Sequence, residues 1–241
     1  MGIIYCAGSQ TGSKRPINED SVGVFEVEDG ILAIVCDGIG GKKAGDVASK
    51  LAVSSISSYF ISSNESDYSV RIKNALCFAN DEILKTGASD FNLEGMATTA
   101  DSLFIKNGIA YWGHVGDSRI YMLNGDEIYH ITKDHSLVQK LVDDGLLTQS
   151  QAERHPNKNI ITRAVGDDNF SEPDFDKLKL DMDVNWKFLL CTDGISSVLN
   201  DNVISSVLCE DMEIIQTKII ELVEYQGSPD NYSYVVISNG R

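Results

Sequence analysis

The sequence predicts an α+β protein in which antiparallel sheets carry helices packed on the outside. Apolar or alternating runs at 22–27, 31–36, 98–105, 109–115, 119–123, 127–131, 186–191 and 232–237 read as strands. Helical periodicity appears at about 43–61, 69–86, 136–144, 201–209 and 212–225. The helices come in groups and do not alternate with the strands, which argues against a parallel doubly wound sheet.

Each element has a local reason. The run Ile31-Leu-Ala-Ile-Val-Cys36 is apolar throughout, the mark of a buried strand, and Gly30 stands before it as a turn. Two helical stretches follow with no strand between them. Asn107-Gly108 and Asn124-Gly125 separate the next strand pairs and read as hairpin turns. The segment 136–160 breaks the pattern with a short helix, then Asp143-Asp144-Gly145, then a polar stretch around Arg154-His155-Pro156. It reads as a surface insertion, either a flap that contacts substrate or a plain connecting loop. Trp112, Trp186 and His114 lie within strand runs and are expected in the core. His135, between Asp134 and Ser136, suits a turn held by side-chain hydrogen bonds. No repeat or Pro/Gly-rich linker divides the chain, so residues 1–241 are expected to form one domain.

Composition removes several functions. A net charge of -16 argues against nucleic acid or an anionic membrane as the main partner, since no basic stripe exists to release counterions. The five cysteines show no C-x-x-C spacing, so neither a zinc site nor a disulfide framework is expected. They fit a reducing compartment, and a cytoplasmic monomer is the expectation. The first residues lack the basic and apolar regions of a signal peptide, and no apolar run is long enough to span a membrane.

The chemistry is carried by aspartates placed where apolar runs stop. Asp37 ends one run and Asp193 another, each followed by glycine; Asp117 follows the run at 109–115, and Asp230 precedes 232–237. Strands that end in carboxylates can bring distant chain segments to one oxygen-rich point. Crowded carboxylates repel unless cations hold them. Arg15-Pro-Ile-Asn-Glu-Asp20 adds a guanidinium, suited to gripping a pair of phosphate oxygens, and the carboxylates Glu19 and Asp20. The set Asp20, Asp37, Asp193 and Asp230, with a main-chain carbonyl at Gly38, is all oxygen. No histidine stands at ligand spacing from it, which favours Mg²⁺ or Mn²⁺ over zinc. Two such ions, about 3.5–4 Å apart, can share a water, lower its pKa and aim it at phosphorus. The expected chemistry is hydrolysis of a phosphate monoester without a covalent intermediate.

Other phosphatase chemistries fail on the residues. No cysteine has an arginine six positions on, so a C-x₅-R thiolate cradle is absent, and no G-x-x-x-x-G-K-[ST] loop exists. Gly38-Ile-Gly-Gly41 reads as a tight turn off a strand rather than a phosphate cradle.

Several motifs occur in an order that resembles the metal-dependent protein phosphatases of the protein phosphatase 2C class, in their compact bacterial form. They are Arg15-x-x-Asn-Glu-Asp20, Asp37-Gly-Ile-Gly-Gly41, Gly95-Met-Ala-Thr-Thr99, Gly116-Asp-Ser-Arg119, Asp134-His-Ser136, Ile161-Thr-Arg-Ala-Val-Gly166, Cys191-Thr-Asp-Gly194 and Asp230-Asn231. The resemblance runs from Gly12 to Ile237. It implies a four-layer sandwich, two antiparallel sheets with helices on both outer faces. It also implies that Asp37 bridges two metals with the Gly38 carbonyl as a further ligand, and that Asp193 and Asp230 complete the ligand set. Asp20 and Glu19 would hold metal-bound water, Arg15 would bind phosphate, and Asp117 with Asp193 would hold a third, weaker metal. The 136–160 segment would be the family's flap. The implied activity is that of a serine/threonine protein phosphatase, acting on phosphorylated proteins and opposing a protein kinase. A catalytically weak phosphoprotein-binding or scaffold module of the same fold is the alternative. Ile39 stands where animal members have a histidine, which leaves metal-bound water or His155 as the proton donor.

Overall fold

Along Ile31 to Cys36 both sides of the strand are buried, because alternate residues serve two different cores. Leu32, Ile34 and Cys36 pack against helices, and Ile31, Ala33 and Val35 pack against a second sheet. This computed structural model describes residues 2–39, 44–168 and 170–240. Gly40-Gly41 and the expected helix start at 43 lie outside them.

In chain order the strands are β1 (Ile4–Gln10), β2 (Asp20–Val27), β3 (Gly30–Asp37), β4 (Ala100–Lys106), β5 (Ile109–Val115), β6 (Arg119–Asn124), β7 (Glu127–His130), β8 (Asp174–Lys179), β9 (Trp186–Cys191) and β10 (Tyr232–Ser238). The helices are α1 (Gly45–Ser62), α2 (Tyr68–Ser89), α3 (Leu137–Asp143), α4 (Gln149–Ala152), α5 (Asp193–Ser196), α6 (Asp201–Leu208) and α7 (Met212–Tyr225). Two five-stranded antiparallel sheets run β1-β10-β9-β6-β7 and β2-β3-β4-β5-β8.

The four layers follow from where each apolar stripe goes. Ala48, Ala52, Ile56 and Phe60 of α1 repeat every fourth residue and meet Ile72, Leu76 and Ile83 of α2 over the β2-containing sheet. On the other sheet, Ile215, Ile219 and Val223 of α7 cover Tyr232, Tyr234 and Val236. Between the sheets lie Leu103, Phe188, Leu190, Val235 and Ile237. The expected α+β sandwich is therefore present.

Two strands escaped the sequence pattern, and both are sheet edges. β1 is half-exposed along its length and carries no clean alternation. β8, Asp174-Phe-Asp-Lys-Leu-Lys179, is mostly charged, as an edge must be to avoid pairing with other chains. Two turns also differ, the later one by a single residue, since Asn124 pairs with Glu127 and Gly125-Asp126 make that bend. In the earlier one Gly30 pairs with Val27 inside the ladder, and the bend is made by Glu28 (φ 49°) and Asp29 (φ 63°). A two-residue hairpin needs φ > 0 at both central positions, and here two acidic residues take it. Asn107 (φ 51°) and Gly108 (φ 71°) form their hairpin as expected.

Candidate active site

β2 and β3 place Asp20 directly opposite Asp37 at the end of their ladder. Asp37 shares the alternation of Ile31, Ala33 and Val35, so both carboxylates sit at the mouth of the inter-sheet space. The end of β3 is fixed by its neighbours. The Thr99 amide and Thr98 hydroxyl donate to the Asp37 carbonyl, each at 2.8 Å, and the Asp37 amide donates to Thr99 Oγ1 at 2.9 Å. Gly38 must be glycine, because a Cβ there would lie 2.3 Å from the Gly45 carbonyl oxygen and 2.5 Å from that of Glu19.

From the second sheet, β9 gives way to Thr192 and then to Asp193, the first residue of α5, beside the start of β10. Thr192 Oγ1 donates to Asp20 Oδ2 at 2.9 Å and accepts from the Ser233 amide at 2.9 Å, tying the sheets together at this point. Gly194 lets the chain pass under β10, since a Cβ there would meet the Asn231 carbonyl oxygen at 1.9 Å. Asp230 accepts from Arg15 Nη2 at 2.7 Å, so the guanidinium lies at the rim of the carboxylate cluster, 44% exposed. Asn231 holds the Arg15–Asp20 segment. Its Oδ1 accepts from the Glu19 amide at 2.9 Å, and its Nδ2 donates to Thr11 and Ile17 carbonyls at 2.7 and 2.9 Å.

Asp117 follows β5 and is buried. Ser118 beside it shares a 2.7 Å hydrogen bond with Thr99, the residue that also clamps Asp37. Glu19 is placed differently. Its carboxylate turns toward Gly45 at the start of α1, within electrostatic reach of Arg15, Asp46 and Asp230.

The electrostatics are those of negative charge forced together. Burial, then repulsion from Asp20, Asp193, Asp117 and Asp230, pushes Asp37 well above the carboxylate range. Burial pushes Asp20 up to about 7 against the hydrogen bonds from Ser233 and Thr192, and pushes Asp117 up to about 8. Asp193 is raised by burial and by Asp230, with Asp37, Arg15 and Lys158 opposing. Among the described residues Asp20 Oδ1 is buried with no hydrogen-bond partner. A deep oxygen without a donor, facing other carboxylates, fits an all-oxygen divalent cation site. Among the described residues no three such side chains form a closed ligand set, which is compatible with ions that keep several waters.

A cleft of about 540 Å³ reaches this cluster at Asp117 and Asp193. Asp117, Asp193, Arg119 and Asp201 line one part of it, and Glu153 and Lys158 come from the 136–160 segment. That segment contains α3 and α4, with Ser136 and Thr148 as their N-caps. His155, a proton-donor candidate, is not among the lining residues; its Nδ1 accepts from the Asn157 amide at 3.1 Å. His114 is fully buried in the core, with Nδ1 2.6 Å from Asp101 Oδ1.

The family model described as Protein phosphatase 2C matches residues 7–224. The chain belongs to the protein phosphatase 2C family. The phosphatase is 31% identical over 236 residues to Protein phosphatase PhpP of Streptococcus pneumoniae, covering 95% of each chain. Its fold is similar to that of the serine/threonine phosphatase Stp1 from Staphylococcus aureus (TM-score 0.92, 30% identity, 99% of this chain and 95% of that one). It is also similar to the catalytic domain of the serine/threonine protein phosphatase PstP in complex with two manganese ions (TM-score 0.85, 31% identity, 98% and 97%).

Sequence reasoning singled out the acidic residues and missed what holds them. Thr99, Thr192 and Asn231 were visible inside the motifs, but the contacts that hold the acidic segments reach 62 to 220 residues away in sequence. Their polar side chains next to metal-type aspartates are the signal that could have found them.

Proposed function

We propose that this family member is a serine/threonine protein phosphatase that hydrolyses phosphoserine and phosphothreonine monoesters on proteins and opposes a protein kinase. Residues 1–241 act as one catalytic domain with a flap at about 136–160, and the enzyme works as a monomer. The observation that carries the reading is the facing pair Asp20–Asp37, cross-linked to the second sheet through Thr192, with Arg15 at the rim on Asp230.

Asp37, Asp193, Asp230 and the Gly38 carbonyl would hold two Mn²⁺ or Mg²⁺ ions, with Glu19 and Asp20 supporting their waters. Asp117 with Asp193 would hold a third. Bound divalent cations supply charge against the phosphoryl oxygens and lower the pKa of water. Arg15 swings from Asp230 to grip two phosphoryl oxygens, a shape its planar fork matches. Asp20 orients the attacking water through its unpartnered Oδ1. A water oxygen bonds to phosphorus as the phosphorus–oxygen ester bond breaks. One proton of the attacking water passes to the leaving serine or threonine oxygen, since Ile39 has none to give.

The test is phosphate release from a phosphothreonine peptide with Mn²⁺, Mg²⁺ or EDTA, comparing wild type with Asp193→Asn. The reading expects activity that needs added cation and falls about 100-fold or more in the variant. No turnover with any cation, in a folded protein that binds Mn²⁺, would mean a phosphoprotein-binding module.

A further inference from the structure

The turn that presents Asp117 is gripped from two sides, and only one grip belongs to the cluster already described. On one side Ser118 meets Thr99. On the other, His135 bonds Gly116 twice. The Gly116 amide donates to His135 Nδ1 at 3.0 Å, and the His135 amide donates to the Gly116 carbonyl at 2.7 Å. Gly116 has φ 116°, and a Cβ there would strike Thr99 Cγ2 at 2.5 Å, so the turn has no freedom to relax toward Thr99. The geometry points to His135 as the positioning residue for Asp117: its Nδ1 holds the N–H of the Val115–Gly116 peptide, its backbone amide holds the carbonyl of the Gly116–Asp117 peptide, and together they set the carboxylate of the weaker metal site. This inference rests on the assignment of Asp117 to that site.

The ring is itself locked. His135 is 8% exposed, and its Nε2 lies 3.1 Å from Asp174 Oδ2 on β8 and 2.6 Å from Arg163 Nη1. Arg163 Nη1 also donates to Asp174 Oδ1 at 2.7 Å. The other face lies against the His114 ring, with centroids 4.5 Å apart, and the His135 carbonyl accepts from the Thr162 amide at 2.7 Å. With Nδ1 accepting from an amide, the proton of the neutral ring sits on Nε2 and points at Asp174, so Arg163, which has only donors, packs beside that nitrogen and bonds Asp174 instead. An edge strand, through Asp174, therefore holds a ring that holds the metal-site turn. Outer partners of this kind orient a ligand and typically change metal affinity 10- to 100-fold when removed.

The two nitrogens can be separated by substitution. His135→Asn places an amide oxygen where Nδ1 sits and keeps the acceptor for Gly116. His135→Gln reaches toward Asp174 and loses it. Mn²⁺ binding to the substrate-free phosphatase, followed by electron paramagnetic resonance, is measured for wild type, both variants, Asp117→Asn, and Asp117→Asn combined with His135→Gln. Thermal midpoints in EDTA report folding. The inference expects His135→Gln to weaken the lowest-affinity Mn²⁺ class about 10-fold or more, His135→Asn to stay close to wild type, and the double variant to be no worse than Asp117→Asn. Wild-type binding in His135→Gln overturns it, as do equal losses in both His135 variants or additive losses in the double variant. If Asp117→Asn leaves that class intact, the Asp117 assignment fails and the inference falls with it. A loss in Asp117→Asn with none in His135→Gln overturns the inference alone.

Discussion

Asp20 and Asp37 are direct antiparallel partners across β2 and β3, two carboxylates facing one another where a sheet would ordinarily avoid like charges. Their pairing is tolerated because Thr192 donates to one oxygen of Asp20 and because protons or cations neutralise the rest. The fold thus carries a standing electrostatic cost at its site.

That cost has a pH sign. Asp20 at about 7 and Asp117 at about 8 lie above their unfolded value of 3.8, so the metal-free folded state holds protons that the unfolded chain releases. Stability from these groups is fully present below about pH 4 and is lost as pH rises through 7 to 8. Bound cations replace those protons. The rise in thermal midpoint on adding Mn²⁺ should therefore be larger at pH 8 than at pH 5.5, in scans run beside EDTA controls. An equal rise at both pH values would contradict the buried-carboxylate account.

Thr192→Val removes one hydroxyl that serves two sheets. It takes the Thr192 donor from Asp20 Oδ2 and leaves the Ser233 amide without its partner. The expected cost is about 1–3 kcal/mol, read from urea midpoints, with a higher Mn²⁺ requirement for activity. A stability within error of wild type would show that water takes over both bonds.

Gly194→Ala tests how tightly Asp193 is placed. Its Cβ would have to displace backbone at Asn231, 1.9 Å away, and so move Asp193 relative to Asp230. Turnover should fall about 100-fold, the scale of a displacement near 1 Å at a reacting centre, and the thermal midpoint should drop as well. Gly2→Ala, where among the described residues a Cβ meets nothing within 4 Å beyond its chain neighbours, is the silent control.

Arg15→Ala separates binding from folding. Its ion pair with Asp230 is 44% exposed on the arginine side, so its stability contribution should stay below about 1 kcal/mol. The phosphopeptide KM should rise about 10-fold or more, the loss of a charge-assisted phosphate contact. Arg15→Lys should recover only part of it, because an ammonium lacks the planar fork.

What could be read from the sequence follows physical lines. The central strands announced themselves because β3, β4, β9 and β10 are buried on both faces. The edge strands β1 and β8 did not, because partial exposure leaves them no apolar signature. The bend at Glu28-Asp29 was hidden because two acidic residues adopt the backbone that glycine usually marks. At the site, strand-end aspartates were legible from position alone. Asn231, which anchors Thr11 and Ile17, was not, since an amide's partners lie in tertiary structure. His135 was read as a turn residue held by hydrogen bonds, yet its partner Gly116 is 19 residues earlier.

β1 and β10 pair from Ile4 with Ser238 to Gln10 with Tyr232, so the earliest strand waits for the last one. Asp230 and Asn231 arrive on the same late segment, and Asn231 ties down the stretch that carries Arg15. Contacts of such long sequence separation form slowly. During synthesis the sheet cannot close and the site cannot assemble until that segment has left the ribosome. A nascent chain that still lacks this segment is therefore catalytically silent.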